Sequence, residues 1–188
     1  MTDDSLPQTT DVVIVGGGVS GAAAARNLAD DHEVVVVEKG KLAAEASALA
    51  AGIVGLTTTY ADYPAIADHA AAFFDDYDGT GEFSYTQRGT VELVFPEHEK
   101  VSREKAATYA DRDLGATWLE PDQLSARHPD INADAFVGAV EYATRPGKGW
   151  LDPYTLSTTL AQDAADRGAH LETDCAVQAV LVDDGSVR

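Results

Sequence analysis

The 188-residue sequence contains little that could build a disulfide framework, a metal centre or a membrane span. A single cysteine, Cys175, excludes an internal disulfide and any multi-cysteine metal site. Charge or glycine interrupts every apolar stretch before the ~20 residues that a membrane-spanning helix requires. Residues 1–10 lack the basic and apolar regions of a signal peptide. We therefore expect a cytoplasmic protein with a disordered leader over residues 1–10 and no metal.

Basic residues are also scarce: 13 Lys and Arg stand against 32 Asp and Glu, for a net charge of −19. A polyanion of this size repels nucleic acid and anionic lipid, so neither is an expected partner. The hydrophobic fraction of 45% is that of a folded protein rather than an acidic tail. We interpret the charge as a halophilic surface, because molar salt shortens the screening length to ~3 Å and removes the self-repulsion. An ordinary acidic protein is the alternative.

The N-terminal part of the chain has the pattern of a βαβ unit. An apolar, β-branched run over residues 11–15 predicts a buried strand, and an alanine-rich segment over residues 22–29 predicts a helix. A second β-branched run, residues 33–37, predicts the next strand, which Glu38 closes. Between the first strand and the helix lies a glycine-rich turn, residues 16–21. This order is the context that a dinucleotide-binding turn requires.

Within that turn, Gly16, Gly18 and Gly21 form the pattern G-x-G-x-x-G. In this motif the first glycine permits the tight turn, the second lets a pyrophosphate approach the backbone and the third allows close helix–strand packing. The pyrophosphate is expected at the helix N-terminus, where Val19 and Ser20 begin the helix. Glu38 is placed to accept hydrogen bonds from an adenosine ribose and to disfavour the 2′-phosphate of NADP. The glycines alone do not distinguish FAD from NAD.

The remaining chain alternates helices and short strands. Residues 61–77 are predicted to form a helix, one face of which carries Tyr63, Ile66, His69, Ala70 and Phe73. Asp152 and Gly168 are typical of residues that precede and follow a helix, here over residues 153–167. The other predicted elements are strands at 83–87, 90–95, 136–142 and 170–182, helices at 97–113 and within 118–128, a loop at 145–149 and a hairpin turn at Asp183-Asp184-Gly185.

Three segments resemble the FAD-dependent oxidoreductases of the D-amino-acid oxidase type, which include sarcosine and glycine oxidases and D-amino-acid dehydrogenases. They are DVVIVGGGVSGAAAARNLADDHEVVVVEKG with the following EASALAAGIVG, the element Gly149-Trp150-Leu151-Asp152-Pro153, and residues 168–188. The resemblance implies an α/β fold: a Rossmann-like FAD-binding domain with part of an α+β substrate domain inserted. It implies an incomplete FAD-binding domain at residues 11–56 and 150–188 and a partial substrate domain at 57–149.

The same resemblance implies further contacts to the cofactor. Lys39 would flank the adenine, and Ser47 would contact the pyrophosphate or ribityl chain. Ala51 and Gly52 would place backbone against the flavin, and Val177 would reach the adenine through its backbone. Residues 40–56 contain no histidine of the kind that anchors flavin covalently in some relatives, so we expect non-covalent FAD.

The expected activity is oxidation of the C–N bond of a small-molecule amine or amino acid by hydride transfer to flavin. The sequence identifies no catalytic residue, and the chain resembles a truncated one, so a partner chain could supply a C-terminal half. One alternative is an enzyme of the FAD-dependent glycerol-3-phosphate dehydrogenase type. Another is a non-catalytic nucleotide-binding fragment or subunit.

Overall fold

The computed structural model describes residues 6–184 and 186–187, which divide into two compact units. The first unit comprises the chain up to Gly52, residues Gly79–Ser84 and the chain from Asp152 onward. The second comprises Ile53–Asp78 and Tyr85–Leu151. Compared with the expected division, residues 53–56 and 150–151 lie in the second unit and residues 79–84 in the first. Residues 1–5 of the expected leader lie outside the described residues, and residues 6–10 form no helix or strand.

The helices and strands of the described residues are, in chain order, β1 Val12–Val15, α1 Val19–Leu28, β2 Val34–Val37, α2 Ala46–Leu49, β3 Ile53–Gly55, α3 Leu56–Thr59, α4 Pro64–Tyr77, β4 Tyr85–Gln87, β5 Thr90–Val94, a 3-10 helix Pro96–His98, α5 Glu99–Asp111, β6 Ala116–Leu119, α6 Pro121–Arg127, a 3-10 helix Ala133–Ala135, β7 Gly138–Tyr142, β8 Lys148–Leu151, α7 Pro153–Asp166, β9 His170–Glu172, β10 Val182–Asp183 and β11 Ser186–Val187. No helix among them has both the length and the apolar character needed to cross a membrane.

The first unit is a Rossmann-like layer of parallel strands covered by helices. Its strands lie in the order β1-β2-β9, and each neighbouring pair is parallel. All four valines of β2 are buried, as expected for the middle strand of a parallel sheet. Small side chains, including Ala25 of α1 and Ala164 of α7, pack with Val34 and Val36 in one core cluster. The predicted βαβ unit is confirmed, and it positions the glycine-rich turn at the carboxyl end of β1.

The second unit contains two antiparallel three-stranded sheets. β8 lies between β3 and β4, and β7 lies between β5 and β6. Val140 and Tyr142 of β7 belong to a cluster with Ala106 of α5, whereas Ala139 clusters with Leu124 of α6. Alternate residues of β7 therefore serve opposite faces of the sheet, and each face has its own helix.

The last helix begins as predicted. Asp152 Oδ1 accepts a hydrogen bond of 2.8 Å from the Tyr154 backbone N–H, and Pro153 occupies the first turn. Gly168 follows the helix with φ +106°, a conformation that favours glycine. The antiparallel pairing of β10 with β11 agrees with the predicted terminal hairpin, although Gly185 of its turn lies outside the described residues.

Several predicted boundaries are wrong. The predicted strand at 170–182 ends at Glu172, and residues 173–181 form neither helix nor strand, because valine and leucine form a strand only beside a paired neighbour. The predicted loop at 145–149 already contains the start of β8. The face of α4 that carries Ile66 is not the buried one: Ile66 is exposed, whereas Ala67 and Ala71 are buried.

Candidate functional site

The glycine-rich turn joins β1 to α1 through a backbone that larger residues could not adopt. Gly16 has φ +109°, and its N–H donates to the Val37 carbonyl at 2.9 Å, which ties the turn to β2. A Cβ at Gly21 would overlap the Gly16 carbonyl oxygen. The third glycine of the motif therefore lets the first turn of α1 contact the strand end, as the sequence predicted.

Glu38 closes β2 and faces the same turn. Its Oε2 accepts from the Gly17 N–H at 2.8 Å and its Oε1 from the Gly40 N–H at 2.9 Å. These two backbone hydrogen bonds, from Gly17 first and then Gly40, outweigh partial burial and hold the pKa of Glu38 below its usual value. The side chain is therefore fixed as a carboxylate, and each oxygen keeps a lone pair that can accept from a ribose hydroxyl.

Ser47 lies at the N-terminus of α1 although it is far away in sequence. Its Oγ accepts a hydrogen bond of 3.0 Å from the Val19 N–H, so it caps a helix whose own N-cap residue, Gly18, has no side chain. The hydroxyl hydrogen of Ser47 is then free to donate to an anion. The N–H groups of Ser20 and Gly21, in the first turn, have no acceptor within their helix. Together these donors suit a pyrophosphate.

A cavity of about 200 Å³ lies beside the turn in the first unit. Gly16, Gly18, Glu38 and Ser47 line it, and all four are residues that the sequence analysis assigned to the cofactor. Lys41 and residues 43–46, in the connecting loop, also line the cavity, and none of them was predicted from the sequence as a site residue. Only the basic character of Lys41, close to an anion site, could have indicated its position.

The remaining predicted residues do not line this cavity. Lys39 is exposed and forms an ion pair of 2.7 Å with Glu45, whose hydrogen bond raises the pKa of the lysine. Ala51 is exposed, and Gly52, with φ +69°, ends the first segment of this unit. Val177 lies in the irregular segment after β9, two residues beyond Cys175, whose N–H donates to the Glu38 carbonyl at 2.9 Å.

A family of proteins described as FAD dependent oxidoreductases matches residues 11–188. The chain belongs to this family. The match includes the whole βαβ unit, and FAD is therefore the cofactor. The donors at the helix start and the fixed carboxylate fit the pyrophosphate and ribose of FAD. The described residues hold no cluster of His, Cys, Asp and Glu able to bind a metal ion.

Solved structures of glycine oxidases have the same fold. The enzyme from Geobacillus kaustophilus is 26% identical with a TM-score of 0.79, and that from Bacillus cereus is 26% identical with a TM-score of 0.77; both alignments cover 95% of this chain and 50% of the other. The L-amino acid deaminase from Proteus myxofaciens is 26% identical with a TM-score of 0.76, over 97% of this chain and 42% of the other. This chain therefore spans about half the length of these proteins. A comparison with curated protein sequences finds no match.

Proposed function

We propose that the protein is an FAD-dependent oxidoreductase that oxidises the C–N bond of an amine or amino acid. The observation that carries the proposal is the FAD-type turn with its fixed carboxylate, Glu38, in a chain of the FAD dependent oxidoreductase family. The likeness to glycine oxidases and to an L-amino acid deaminase, each at 26% identity, supports this substrate class. The L-alpha-glycerophosphate oxidase from Mycoplasma pneumoniae, at 24% identity, shows the fold alone.

In this proposal the first unit binds and orients the cofactor. The first-turn N–H groups of α1 and the Ser47 hydroxyl donate to the pyrophosphate, and Glu38 accepts from the ribose. Ala51 and Gly52 place backbone against the flavin, whereas Lys39 and Val177 border the adenine. No covalent attachment is proposed, because residues 40–56 contain no histidine.

Bound FAD supplies the two-electron acceptor of the reaction. The chain's own contribution is to hold that acceptor in one orientation and to keep the pyrophosphate charge neutralised at the start of α1. The second unit, together with further sequence or a partner chain, is proposed to bind the substrate, since each related chain is about twice as long.

A visible absorption spectrum of the full-length protein tests the cofactor proposal. The protein is purified in molar KCl, mixed with FAD and desalted. A retained flavin band that denaturation releases would support a non-covalent site. A folded protein that stays colourless, or flavin that remains attached after denaturation, would contradict it.

Turnover of a substrate panel tests the reaction class. The panel contains secondary amines, D- and L-amino acids and glycerol 3-phosphate. We expect an imine-derived carbonyl product from an amine or amino acid. Turnover of glycerol 3-phosphate alone would favour the phosphorylated-alcohol alternative, and bound FAD without turnover of any compound would favour a non-catalytic subunit.

A further inference from the structure

The second unit contains a larger cavity, of about 590 Å³, which the FAD site does not use. Side chains from β5, β7, β8 and α5 line it: Glu92, Tyr142, Lys148 and Lys105. Thr59 and Thr90 also line it, and their hydroxyls form no hydrogen bond within the described part of the chain. The cavity therefore combines three charged groups with hydroxyl donors.

Two of the three charges neutralise each other. Lys105 Nζ lies 2.8 Å from both Oε1 and Oε2 of Glu92, and the Tyr142 hydroxyl donates to Oε2 at 2.9 Å. Burial alone would raise the pKa of Glu92, but these hydrogen bonds, from Lys105 and then Tyr142, lower it overall. Glu92 is thus a carboxylate held by Lys105 and Tyr142, and Lys105 is paired with it.

Lys148 is the uncompensated charge. Only 6% of the residue is exposed, and Nζ lies 4.3 Å from the centre of the Tyr142 ring. Among residues 6–184 and 186–187, Lys148 forms no hydrogen bond and no ion pair, and the opposite charge that acts on it is that of Glu92, which Lys105 already neutralises. A ring face attracts a cation but leaves its N–H donors unsatisfied. Burial of such an ammonium raises the free energy of the folded state unless an acceptor satisfies its N–H donors.

The strand pairing places this ammonium beside a position that has no side chain. Lys148 lies opposite Gly55 in the β3–β8 pair, and a Cβ at Gly55 would lie only 3.8 Å from Nζ. Because Gly55 has no side chain, space remains beside the amine of Lys148. Along the chain, β3 begins at the residue directly after Gly52, the residue proposed to contact the flavin.

We propose that the Lys148 ammonium binds the carboxylate of an amino-acid substrate and thereby selects amino acids over amines that lack a carboxylate. This inference rests on the proposed function and names its substrate class. A single carboxylate matches the single uncompensated cation, and the hydroxyls of Thr59 and Thr90 provide further donors. A phosphate dianion would leave excess negative charge beside Glu92.

A charge-removing variant tests the site in the full-length protein with FAD. The probe is propionate, with neutral propionamide for comparison, and ligand-observed NMR at constant ionic strength gives the Kd. We expect Lys148→Met to raise the Kd of propionate at least tenfold, with propionamide weak throughout. The matched control is Lys100→Met, which removes the same charge from the exposed surface of α5 and should change the Kd less than twofold.

The kinetic prediction separates a substrate contact from a folding defect. In Lys148→Met the KM of an amino acid should rise about tenfold, whereas the KM of the corresponding decarboxylated amine should not change. Lys148→Arg keeps the charge and should retain most of the propionate affinity. An unchanged propionate Kd in Lys148→Met, or inorganic phosphate binding in preference to propionate, would overturn the inference.

The pH dependence of propionate binding to the unmutated protein provides a test that needs no charge-removing mutation. Burial lowers the pKa of Lys148, against the opposing effect of Glu92. The other titratable groups that face it are Lys105, Tyr109 and Tyr142. Propionate affinity should therefore fall as the pH rises through a value below 10.5, the ordinary pKa of lysine. In Lys148→Arg this fall should disappear, and a fall that persists there would contradict the assignment.

The two proposals fail separately. Turnover of amino acids with a normal KM in Lys148→Met would support the proposed reaction and refute the role of Lys148. If Lys148→Met loses propionate binding but the unmutated protein turns over no amine or amino acid, the carboxylate site is supported and the proposed reaction is refuted.

Discussion

In the proposed FAD site, the same two oxygens of Glu38 hold the turn and accept from the ribose. Each oxygen already accepts one backbone N–H, from Gly17 or Gly40, so the carboxylate is fixed before a ribose hydroxyl can reach it. This arrangement explains why a strand-ending acid suits the site: the protein supplies the orientation, and the remaining lone pairs supply the recognition.

The substitution Glu38→Gln should weaken FAD binding. The introduced glutamine has only one acceptor oxygen, so its NH₂ group would face the backbone N–H of either Gly17 or Gly40. One hydrogen bond to a charged group is therefore lost. We expect the Kd of FAD to rise about tenfold, as the loss of ~1.4 kcal/mol implies. Fluorescence titration of the apoprotein with FAD measures this, with Glu33→Gln, an exposed acid before β2, as the control. Equal Kd values for the two variants would refute a role for Glu38.

The substitution Gly21→Ala should destabilise the first unit. The new Cβ would overlap the Gly16 carbonyl oxygen, which belongs to the backbone and cannot move without opening the turn. We expect the free energy of unfolding to fall by about 2–3 kcal/mol. Urea unfolding measures it, with Ser20→Ala on the same exposed first turn as the control, expected within about 0.5 kcal/mol of the parent. A similar stability of both variants would show that the turn tolerates the methyl group.

At the scale of elements, α1 and α7 are joined by a small ion-pair network as well as by their alanines. Asp163 of α7 accepts from Arg26 of α1 at 2.6 Å and from Arg167 at 2.9 Å. Arg167 also pairs with Asp30, at 2.5 Å, just beyond the end of α1. The network fixes one helix against the other and thereby supports the helix whose N-terminus is proposed to bind the cofactor.

This network predicts a pH dependence of stability. Burial raises the pKa of Asp163, but the hydrogen bonds from Arg167 and Arg26 outweigh it and lower the pKa overall. The stabilisation is therefore complete above the unfolded-state pKa of about 3.9 and is lost as the pH falls through the lower folded-state pKa. Asp163→Asn should cost about 1–2 kcal/mol at pH 7 and flatten the loss of stability below pH 4.

Urea unfolding at a series of pH values measures both effects. Asp166→Asn, an exposed acid on the same helix, is the matched control and should leave the curve unchanged. If the curve of Asp163→Asn kept the parent's slope below pH 4, the network would not be the source of the acid sensitivity.

At the scale of the whole molecule, the net charge of −19 governs the conditions under which the chain folds. Self-repulsion of this size opposes compaction at low ionic strength, and molar salt screens it. We propose that the protein is adapted to such salt. The midpoint of thermal unfolding should rise by about 10 °C or more between 0.1 M and 3 M KCl.

Sucrose at matched osmolality provides the control, because it stabilises proteins by exclusion but does not screen charge. A much smaller rise in sucrose than in KCl is expected. Equal rises, or full activity and stability in dilute buffer, would identify an ordinary acidic protein.

The sequence by itself determined the glycine-rich turn that is proposed to bind FAD. The glycine spacing, the β-branched runs on either side and Glu38 at the strand end are local features, because each depends on backbone conformation within about thirty residues. The start of α7 at Asp152 was predictable for the same reason: a cap is a contact between near neighbours in the chain.

Only the tertiary structure decided which distant groups meet. Ser47 reaches Val19 across a loop that carries no regular pattern, and the buried face of α4 follows its packing partners rather than its most hydrophobic stripe. Lys148 looked like a loop residue, and its burial beside Tyr142 depends on the pairing of strands far apart in sequence. Such contacts depend on long-range packing, which residue-by-residue patterns do not encode.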